Sequence, residues 1–310
     1  MLVTINALIP ILGLIALGTF LKRTNFFDPH LWPALEKLSY YVLTPILLVY
    51  VLSSKSLDQM PWPEIAMAVN IPIFLAALIF WISRFFPQKS SAKRFTSLFQ
   101  GGVRFNTFVG LAIAQGLYGN QGLIVGALGA GFMIVLINLL CVTTFSLSLH
   151  RDTNIFKTVA LQVFKNPLII GCLSGLLINF SGLSLPVALS NTLDIIGRAS
   201  LPVALITVGA ALQLSALYKN TRLSFCVGLV QFLFKPLTTA YCCYLFGLNG
   251  ITASVLILFL STPTAPSAYI LSRQLGGDHE IMAALITQQT LFAFLSLPLT
   301  IWVLQTYLPF

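Results

Sequence analysis

Long apolar runs separated by short polar gaps recur along the whole chain. Each run holds about 20 residues, the length that a helix needs to cross a bilayer core about 30 Å thick. Polar and turn-forming residues mark the gaps, so the pattern predicts an all-α polytopic membrane protein with ten transmembrane helices. The predicted spans are residues 3–21, 31–54, 63–86, 95–118, 121–149, 166–181, 186–214, 223–247, 250–274 and 280–308.

Composition supports a membrane location and excludes several classes of protein. Hydrophobic residues make up 57% of the chain and charged residues 8%, whereas a soluble domain carries about 25% charged residues. The net charge of +9 does not indicate nucleic-acid binding, because the basic residues occupy the gaps between apolar runs and form no patch. The five cysteines lie inside apolar runs without metal-ligand spacing, so we expect packing roles and no metal or cofactor.

The basic residues also predict how the chain lies in the membrane. With ten spans the gaps alternate sides; one side receives twelve lysines and arginines, and the other receives only Lys55. The twelve are Lys22, Arg23, Arg84, Lys89, Lys93, Arg94, Arg151, Lys157, Lys165, Lys219, Arg222 and Arg273. Because cytoplasmic loops are enriched in basic residues, both termini are expected outside. The first run lacks a preceding basic residue and a cleavage site, so we expect it to be retained as a helix.

The two halves of the chain resemble each other at a shift of 157 residues. The shift aligns residues that shape helices: Pro10 with Pro167, Gly18 with Gly175, Pro45 with Pro202, Asn106 with Pro263, and Gly119 with Gly276. Residues 1–150 and 166–310 then form two five-helix repeats of opposite membrane orientation, joined by a cytoplasmic loop at 151–165. Inverted repeats are typical of secondary transporters. The alternative is a duplicated bundle that transports nothing.

Interruptions occur at corresponding positions in the fourth and ninth spans. In the ninth, two prolines lack the N–H that a helix requires, so the helix must break or kink there. In the fourth, glycines flank Arg104 and Asn106, which weakens the helix without forcing a break. Paired interrupted spans predict a transporter's binding site, and half-helix N-termini favour an anion. The predicted substrate-binding residues are Arg104, Asn106, Ser261, Thr262, Pro263, Thr264, Pro266 and Ser267, with Gly101, Gly102, Gly110, Pro45 and Pro202 as helix-break or hinge positions. For each hydroxyl, local capping of freed backbone groups is the competing interpretation.

Charged residues inside the predicted spans need a partner or a function. Arg104 near mid-bilayer costs about 2.5–3.5 kcal/mol on insertion. It is expected either to meet an anionic substrate or to reach carbonyls or the inner face. Asp194 lies four residues before Arg198, the favourable order for a same-helix pair. Lys235 precedes Pro236 and is expected to serve the carbonyls that the proline frees, with substrate contact as the alternative.

The order of several segments resembles the auxin efflux carrier family, whose plant members are the PIN transporters, within the bile-acid-transporter-like superfamily. The resemblance covers nearly the whole chain and rests on LIPILGLIALGTFLKR, YYVLTPILLVYVL, NPLIIG, LPVALITVGAAL and the SRQLGGD that ends the ninth span. It implies a bacterial cytoplasmic-membrane protein for organic anions, whose helices four and nine cross at the substrate site near Asn106 and Pro263. Many relatives have a proline soon after the glycine of helix four. This chain continues from Gly110 with Leu-Ala-Ile-Ala, so a less sharply broken fourth helix is expected.

The expected function is a secondary transporter that moves a small organic anion, a carboxylate, by alternating access. A sodium- or proton-coupled cation antiporter is the alternative within transport, although that chemistry normally needs intramembrane carboxylates. A membrane receptor without transport is a second alternative. An enzyme is not expected, because the chain has no HExxH motif and no paired-aspartate site. The sequence leaves open the coupling ion, proton or sodium, and the choice between monomer and homodimer.

Overall fold

A computed structural model describes residues 2–54, 57, 60–84, 91–149, 161 and 164–307 of the chain. These residues form helices and short connections, and no strand occurs among them. The helices are α1 Leu2–Arg23, α2 Leu31–Ser53, α3 Trp62–Ser83, α4 Ala92–Val103, α5 Thr107–Ser148, α6 Pro167–Phe180, α7 Val187–Ala210, α8 Thr221–Leu245, α9 Gly250–Leu260, α10 Ser267–Leu275 and α11 His279–Tyr307. Most of the predicted connecting loop, together with Lys55, Lys89, Arg151 and Lys157, lies outside the described residues.

Most of these helices are suited to a lipid environment. Within the described ranges, seven helical stretches are long and apolar enough to cross a membrane, with α4 and α5 counted together as one stretch of 57 residues. The helices α6 and α9 are also apolar but shorter. Large apolar side chains such as Phe20, Phe74 and Leu177 are exposed, which suits an exterior that meets hydrocarbon. The chain is therefore a multi-pass membrane protein.

The long helix α5 folds back on itself at Gly119. This glycine has φ 58° and ψ −144°, a conformation that L side chains rarely adopt. On either side of it, Gly110 and Gly126 both lie against the ring of Phe259 in α9, where a Cβ on either glycine would approach that ring to 2.8 Å. Sixteen residues of straight helix would separate the two glycines by about 24 Å. The two parts of α5 must therefore run side by side, in opposite directions.

Two helices contain a wider turn immediately before a proline. In α2 the π-helical turn Ser39–Leu43 precedes Pro45, and in α8 the turn Val230–Phe234 precedes Pro236. Proline cannot donate to the carbonyl four residues earlier, and its ring clashes with that group. The extra residue in the turn relieves the clash while the helix continues. Pro202, by contrast, lies inside α7 without interrupting it.

Closely packed helix pairs connect the two halves of the chain. The helix α1 packs on α7, and α2 packs on α6. A methyl group at Gly18 of α1 would overlap the carbonyl of Ile206 in α7, and one at Gly175 of α6 would lie 3.1 Å from the Cα of Val49 in α2. A shift of 157 residues carries Gly18 to Gly175 and Val49 to Ile206. The two contacts are therefore equivalent under the shift seen in the sequence.

Candidate functional site

Two interrupted helices meet in the middle of the fold. The helix α4 ends at Val103, and α5 begins at Thr107 after three non-helical residues. The helix α9 ends at Leu260, and α10 begins at Ser267 after a segment that contains both prolines of the ninth predicted span. The predicted interruption of the fourth span lies at residues 104–106, and the helix continues unbroken from Gly110 through Ala114. No proline is needed there, because a side chain caps the new helix.

Asn106 makes the break between α4 and α5. Its Oδ1 accepts hydrogen bonds from the backbone N–H groups of Phe108 and Val109, at 3.1 and 3.2 Å, which is an N-cap of α5. Its own backbone N–H donates to Oγ1 of Thr262 at 3.1 Å, so the two breaks are in direct contact. Asn106 is fully buried, and its Nδ2 has no hydrogen-bond partner among the described residues. The side chain thus stabilises the break and retains an amide NH2 group that no described residue accepts from.

The hydroxyl groups of the second break divide into two kinds. Ser261 donates to the carbonyl of Ile257 at 2.8 Å, and Thr262 donates to the carbonyl of Phe259 at 2.7 Å. These two hydroxyls cap the end of α9, the competing interpretation of the sequence. Thr264 is also buried, but its Oγ1 has no partner in the described part of the chain. Of the three, only Thr264 has a hydroxyl that is not used by the backbone of α9.

Gln289 of α11 joins the two breaks. Its Nε2 donates to the carbonyl of Gly101 at 2.9 Å, and its Oε1 accepts from the backbone N–H of Thr264, also at 2.9 Å. Gln100 of α4 donates in turn to the carbonyl of Ala268 in α10 at 3.0 Å. Gln289 and Gln100 are both buried. The sequence prediction did not include either glutamine, although Gln100 lies four residues before Arg104.

The helix α8 supplies buried donors to the same region. Lys235 Nζ lies 3.4 Å from the carbonyl oxygen of Val103 and 3.1 Å from that of Arg104, at the carboxyl end of α4. Gln231 donates to the carbonyl of Thr262 beyond α9. Both side chains are fully buried. Lys235 was expected to serve carbonyls freed by Pro236 in its own helix; it serves carbonyls, but those of a different helix, because its long stem reaches across to α4.

The glycines around the first break lie within helices and allow close packing. A Cβ at Gly101 would come within 2.6 Å of Leu285, and one at Gly110 within 2.8 Å of Phe259. A Cβ at Gly102 would overlap the ring of Phe80. The break itself comprises residues 104–106, between these glycines. The glycines therefore determine how closely neighbouring helices approach the contact between the two breaks, where Asn106 meets Thr262. We call this region the crossing.

Arg104 lies at the wall of a large cavity. The cavity has a volume of about 630 Å³ and is bordered by α2, α5, α7 and α10. Arg104 donates from Nη2 to Oδ1 of Asn138 at 3.2 Å, while its Nε is buried without a partner. Neither of the two ion pairs found among the described residues includes Arg104. Polar and charged residues of the wall are Glu36, Lys37, Tyr40, Tyr41, Arg104, Asn138, Lys165, Asn166, Thr207, Ser267 and Gln274.

Of the predicted binding residues, Arg104, Pro266 and Ser267 line this cavity. Asn106, Thr262 and Thr264 are buried behind them at the crossing. Pro263 faces a small apolar gap beside α1 and α11, and Ser261 is buried with its hydroxyl on α9. The sequence prediction therefore included residues that line the cavity and residues that are buried behind it and stabilise the helix breaks.

Glu36 is a residue of the cavity wall that sequence reasoning missed. It lies in α2, in the stretch Leu31–Leu38, and shares the cavity with Arg104. Its position near the start of an apolar run is also typical of an interface residue. A usable signal was the sequence Glu36-Lys37 followed by Tyr40 and Tyr41, which concentrates polar groups on one part of a membrane helix.

A second cavity lies at the opposite ends of α2 and α7. Its volume is about 420 Å³, and Tyr50, Asp194 and Arg198 are among its lining residues. Asp194 and Arg198 form the predicted same-helix pair, with Nη2 and Oδ2 2.6 Å apart, and this prediction is confirmed. In α2, Tyr40 borders the first cavity and Tyr50 the second. The ten residues between them span about 15 Å of helix.

Comparison with known proteins indicates a role in membrane transport. A family described as membrane transport protein matches residues 148–301. An uncharacterized transporter of Methanocaldococcus jannaschii is 25% identical over 314 residues, covering 98% of this chain and 99% of the relative. An uncharacterized transporter of Methanothermobacter thermautotrophicus is 27% identical over 196 residues, covering 62% of each chain. The fold and the comparisons thus define a membrane transporter rather than an enzyme.

The chain belongs to the auxin efflux carrier family of membrane transport proteins. The resemblance stated from the sequence motifs is confirmed on this point. Both relatives are archaeal, so they give no support to the narrower expectation of a bacterial source.

Proposed function

We propose that this chain is a secondary transporter that moves a small organic anion, a carboxylate, by alternating access. The observation that carries the proposal is the position of Arg104, whose guanidinium borders a cavity of about 630 Å³ and has no carboxylate bonded to it among the described residues. A cation without a counter-charge inside a membrane-spanning segment is costly. A substrate carboxylate would supply that charge and accept two parallel N–H bonds from the guanidinium.

The electrostatics of the cavity favour an anion. Arg104, Lys37 and Lys165 contribute three positive charges to its wall, against one negative charge from Glu36. The helix α10 begins beside the cavity, and its N-cap, Pro266, has no side chain that caps the first N–H groups. A helix N-terminus carries about half a positive charge. The positively charged side chains and the N-terminus of α10 would thus both attract a bound carboxylate.

The architecture that we propose for transport is ten spans in two inverted repeats, over residues 1–150 and 166–310. Counting α4 with the first part of α5, the second part of α5, and α9 with α10 as single spans gives this number. Two observations support this architecture. The contacts of Gly18 and Gly175 are equivalent under the shift of 157 residues, and the two cavities lie at opposite ends of α2 and α7. Alternating access would expose the crossing first to one cavity and then to the other. Both termini would face outward across a cytoplasmic membrane.

Ligand-dependent unfolding of the purified protein tests the substrate class. Carboxylates, amines and neutral solutes are added in turn, and the unfolding temperature is measured. A ligand at about 100 times its Kd stabilises the folded state by roughly 2.7 kcal/mol. We expect stabilisation by one class of carboxylate in the wild type, loss of that stabilisation in Arg104→Gln, and its retention in Arg222→Gln, which removes an exposed arginine outside the cavity.

Transport in proteoliposomes then tests the site itself. Exchange of the stabilising carboxylate is measured for the wild type and for Arg104→Gln and Arg222→Gln. The proposal predicts that exchange is lost only in Arg104→Gln. Unchanged exchange in that variant would refute the assignment of Arg104. Stabilisation by amines or sodium alone would instead favour a cation antiporter, and binding without flux would favour a receptor.

A further inference from the structure

The helix α8 places two buried polar side chains against the carboxyl ends of both interrupted helices. Lys235 bonds to the carbonyls of Val103 and Arg104 at the end of α4, and Gln231 bonds to the carbonyl of Thr262 after α9. The two residues are one helical turn apart, across the π-helical turn Val230–Phe234. Neither side chain has any exposed surface. They are directed at the two places in the crossing where negative backbone charge accumulates.

The carboxyl end of an interrupted helix is a natural cation site. Its last carbonyls lack helical N–H partners, and the helix dipole adds about half a negative charge there. In transporters with discontinuous helices, such ends coordinate the coupling sodium ion or proton. The ammonium of Lys235 lies 3.1 Å from the carbonyl oxygen of Arg104, within hydrogen-bonding distance and at the position of such an ion.

Nothing else in the described structure accounts for the burial of Lys235. Neither ion pair found there includes it, and an unpaired ammonium at membrane depth is strongly unfavourable. The two carbonyls at the end of α4 are its hydrogen-bond acceptors. Retaining a lysine here, where an apolar residue would pack at lower cost, makes sense if the carbonyls at the end of α4 need a positively charged donor.

We infer that Lys235, assisted by Gln231, replaces a coupling metal cation at the crossing, so that the carrier works without bound sodium or potassium. The inference rests on the proposed transport function, because it concerns which group neutralises the negative helix ends at the same crossing. It assigns Lys235 a positioning role: its ammonium holds the carboxyl end of α4 while Arg104, one residue beyond the helix, faces the cavity.

Salt-dependent unfolding of the purified protein tests the inference. The unfolding temperature of the wild type is measured in chloride salts of sodium, potassium, lithium and choline at equal ionic strength, without any organic anion. We expect the same unfolding temperature in all four salts. A specific increase in sodium or potassium relative to choline would overturn the inference. Because no carboxylate is present, this result is independent of the substrate panel, and either test can fail without the other.

A chemical-rescue experiment tests the role of the ammonium directly. Lys235→Ala removes three methylenes and the ammonium, the shape of n-propylammonium, and we expect its unfolding temperature to fall by roughly 5 °C or more. Propylammonium chloride should restore most of this loss, and tetramethylammonium chloride, which has no N–H donor, should not. Lys219→Ala, which removes an exposed lysine, is the control and should respond to neither salt.

Rescue by sodium in Lys235→Ala, absent in the wild type, would also support a cation site at this position. Absence of rescue by both propylammonium and the metal cations would contradict it. If Lys235→Ala does not fold, the salt series on the wild type still decides the question, and Gln231→Met provides a second variant. That variant keeps the ammonium and should show no response to propylammonium.

Discussion

Replacing Gln289 by methionine tests whether one side chain holds the two interrupted helices together. The change keeps the length and approximate volume of the side chain but removes its donor and its acceptor. The carbonyl of Gly101 belongs to the last turn of α4, where helical N–H partners are absent. The N–H of Thr264 lies in the non-helical segment between α9 and α10. Both groups bond to Gln289 in the wild type and would lose that partner in the variant.

The expected loss follows from the burial of these groups. Gly101, Thr264 and Gln289 are all buried, so water cannot replace the missing bonds. A buried polar group left unsatisfied costs about 1–3 kcal/mol. Two such groups give about 2–6 kcal/mol for Gln289→Met, of which the extra apolar burial of methionine offsets a part.

Equilibrium unfolding in mixed detergent micelles measures this difference. The control is Gln121→Met, the same chemical change at an exposed position of α5, for which we expect less than about 0.5 kcal/mol. A loss below about 0.5 kcal/mol in Gln289→Met as well would refute the conclusion that Gln289 is a structural link between the breaks. A large loss in both variants would show that the methionine, and not the missing hydrogen bonds, is responsible.

Two further substitutions test the contacts between the two halves of the chain. Gly18→Ala should destabilise the protein by about 1–3 kcal/mol or more, because its methyl group meets the backbone carbonyl of Ile206, which cannot rotate away. Gly13→Ala in the same helix has open space and should be neutral or stabilising by up to about 1 kcal/mol, and equal effects of the two would contradict the packing. Thr44→Val removes a buried hydroxyl bond of 2.8 Å to Ser200 and should cost about 1–3 kcal/mol. The double variant with Ser200→Ala should cost less than the sum of the two single changes, and additive losses would exclude the bond.

Local chemistry explains which of the two helix breaks could be predicted firmly. The break in the ninth span follows from Pro263 and Pro266 alone, since each lacks an N–H wherever the rest of the chain lies. The break in the fourth span contains no proline. It depends on Asn106, which caps α5, and on Thr262, which accepts a bond from the Asn106 backbone across 156 residues of sequence. Such a contact exists only after the helices have packed, so the sequence could indicate an interruption there but not the contacts that stabilise it.

The partners of charged and polar side chains were harder to predict for the same reason. Asp194 and Arg198 lie on one helix at a spacing of four residues, and their pairing follows from helix geometry. Lys235 reaches a neighbouring helix, and no feature of its own segment identifies the acceptors. Glu36 becomes part of the cavity wall only because α2 packs beside α7. The hydrophobic pattern of the sequence predicts which residues belong to each helix. The site depends on how those helices are arranged around the crossing, which the pattern does not predict.

The arrangement of donors and acceptors at the crossing gives the proposed anion preference a simple physical origin. Four helix ends meet there, two of them negative and two positive. Lys235 and Gln231 satisfy the negative ends from inside the protein, and Asn106 caps the positive end of α5 with its own oxygen. The positive end of α10, which has no side-chain cap at Pro266, borders the cavity. In the proposed mechanism a bound carboxylate therefore completes the set of partners at the crossing. In the same proposal an ammonium occupies the usual place of a metal cation, so anion preference and independence from sodium or potassium would both follow from this arrangement of helix ends.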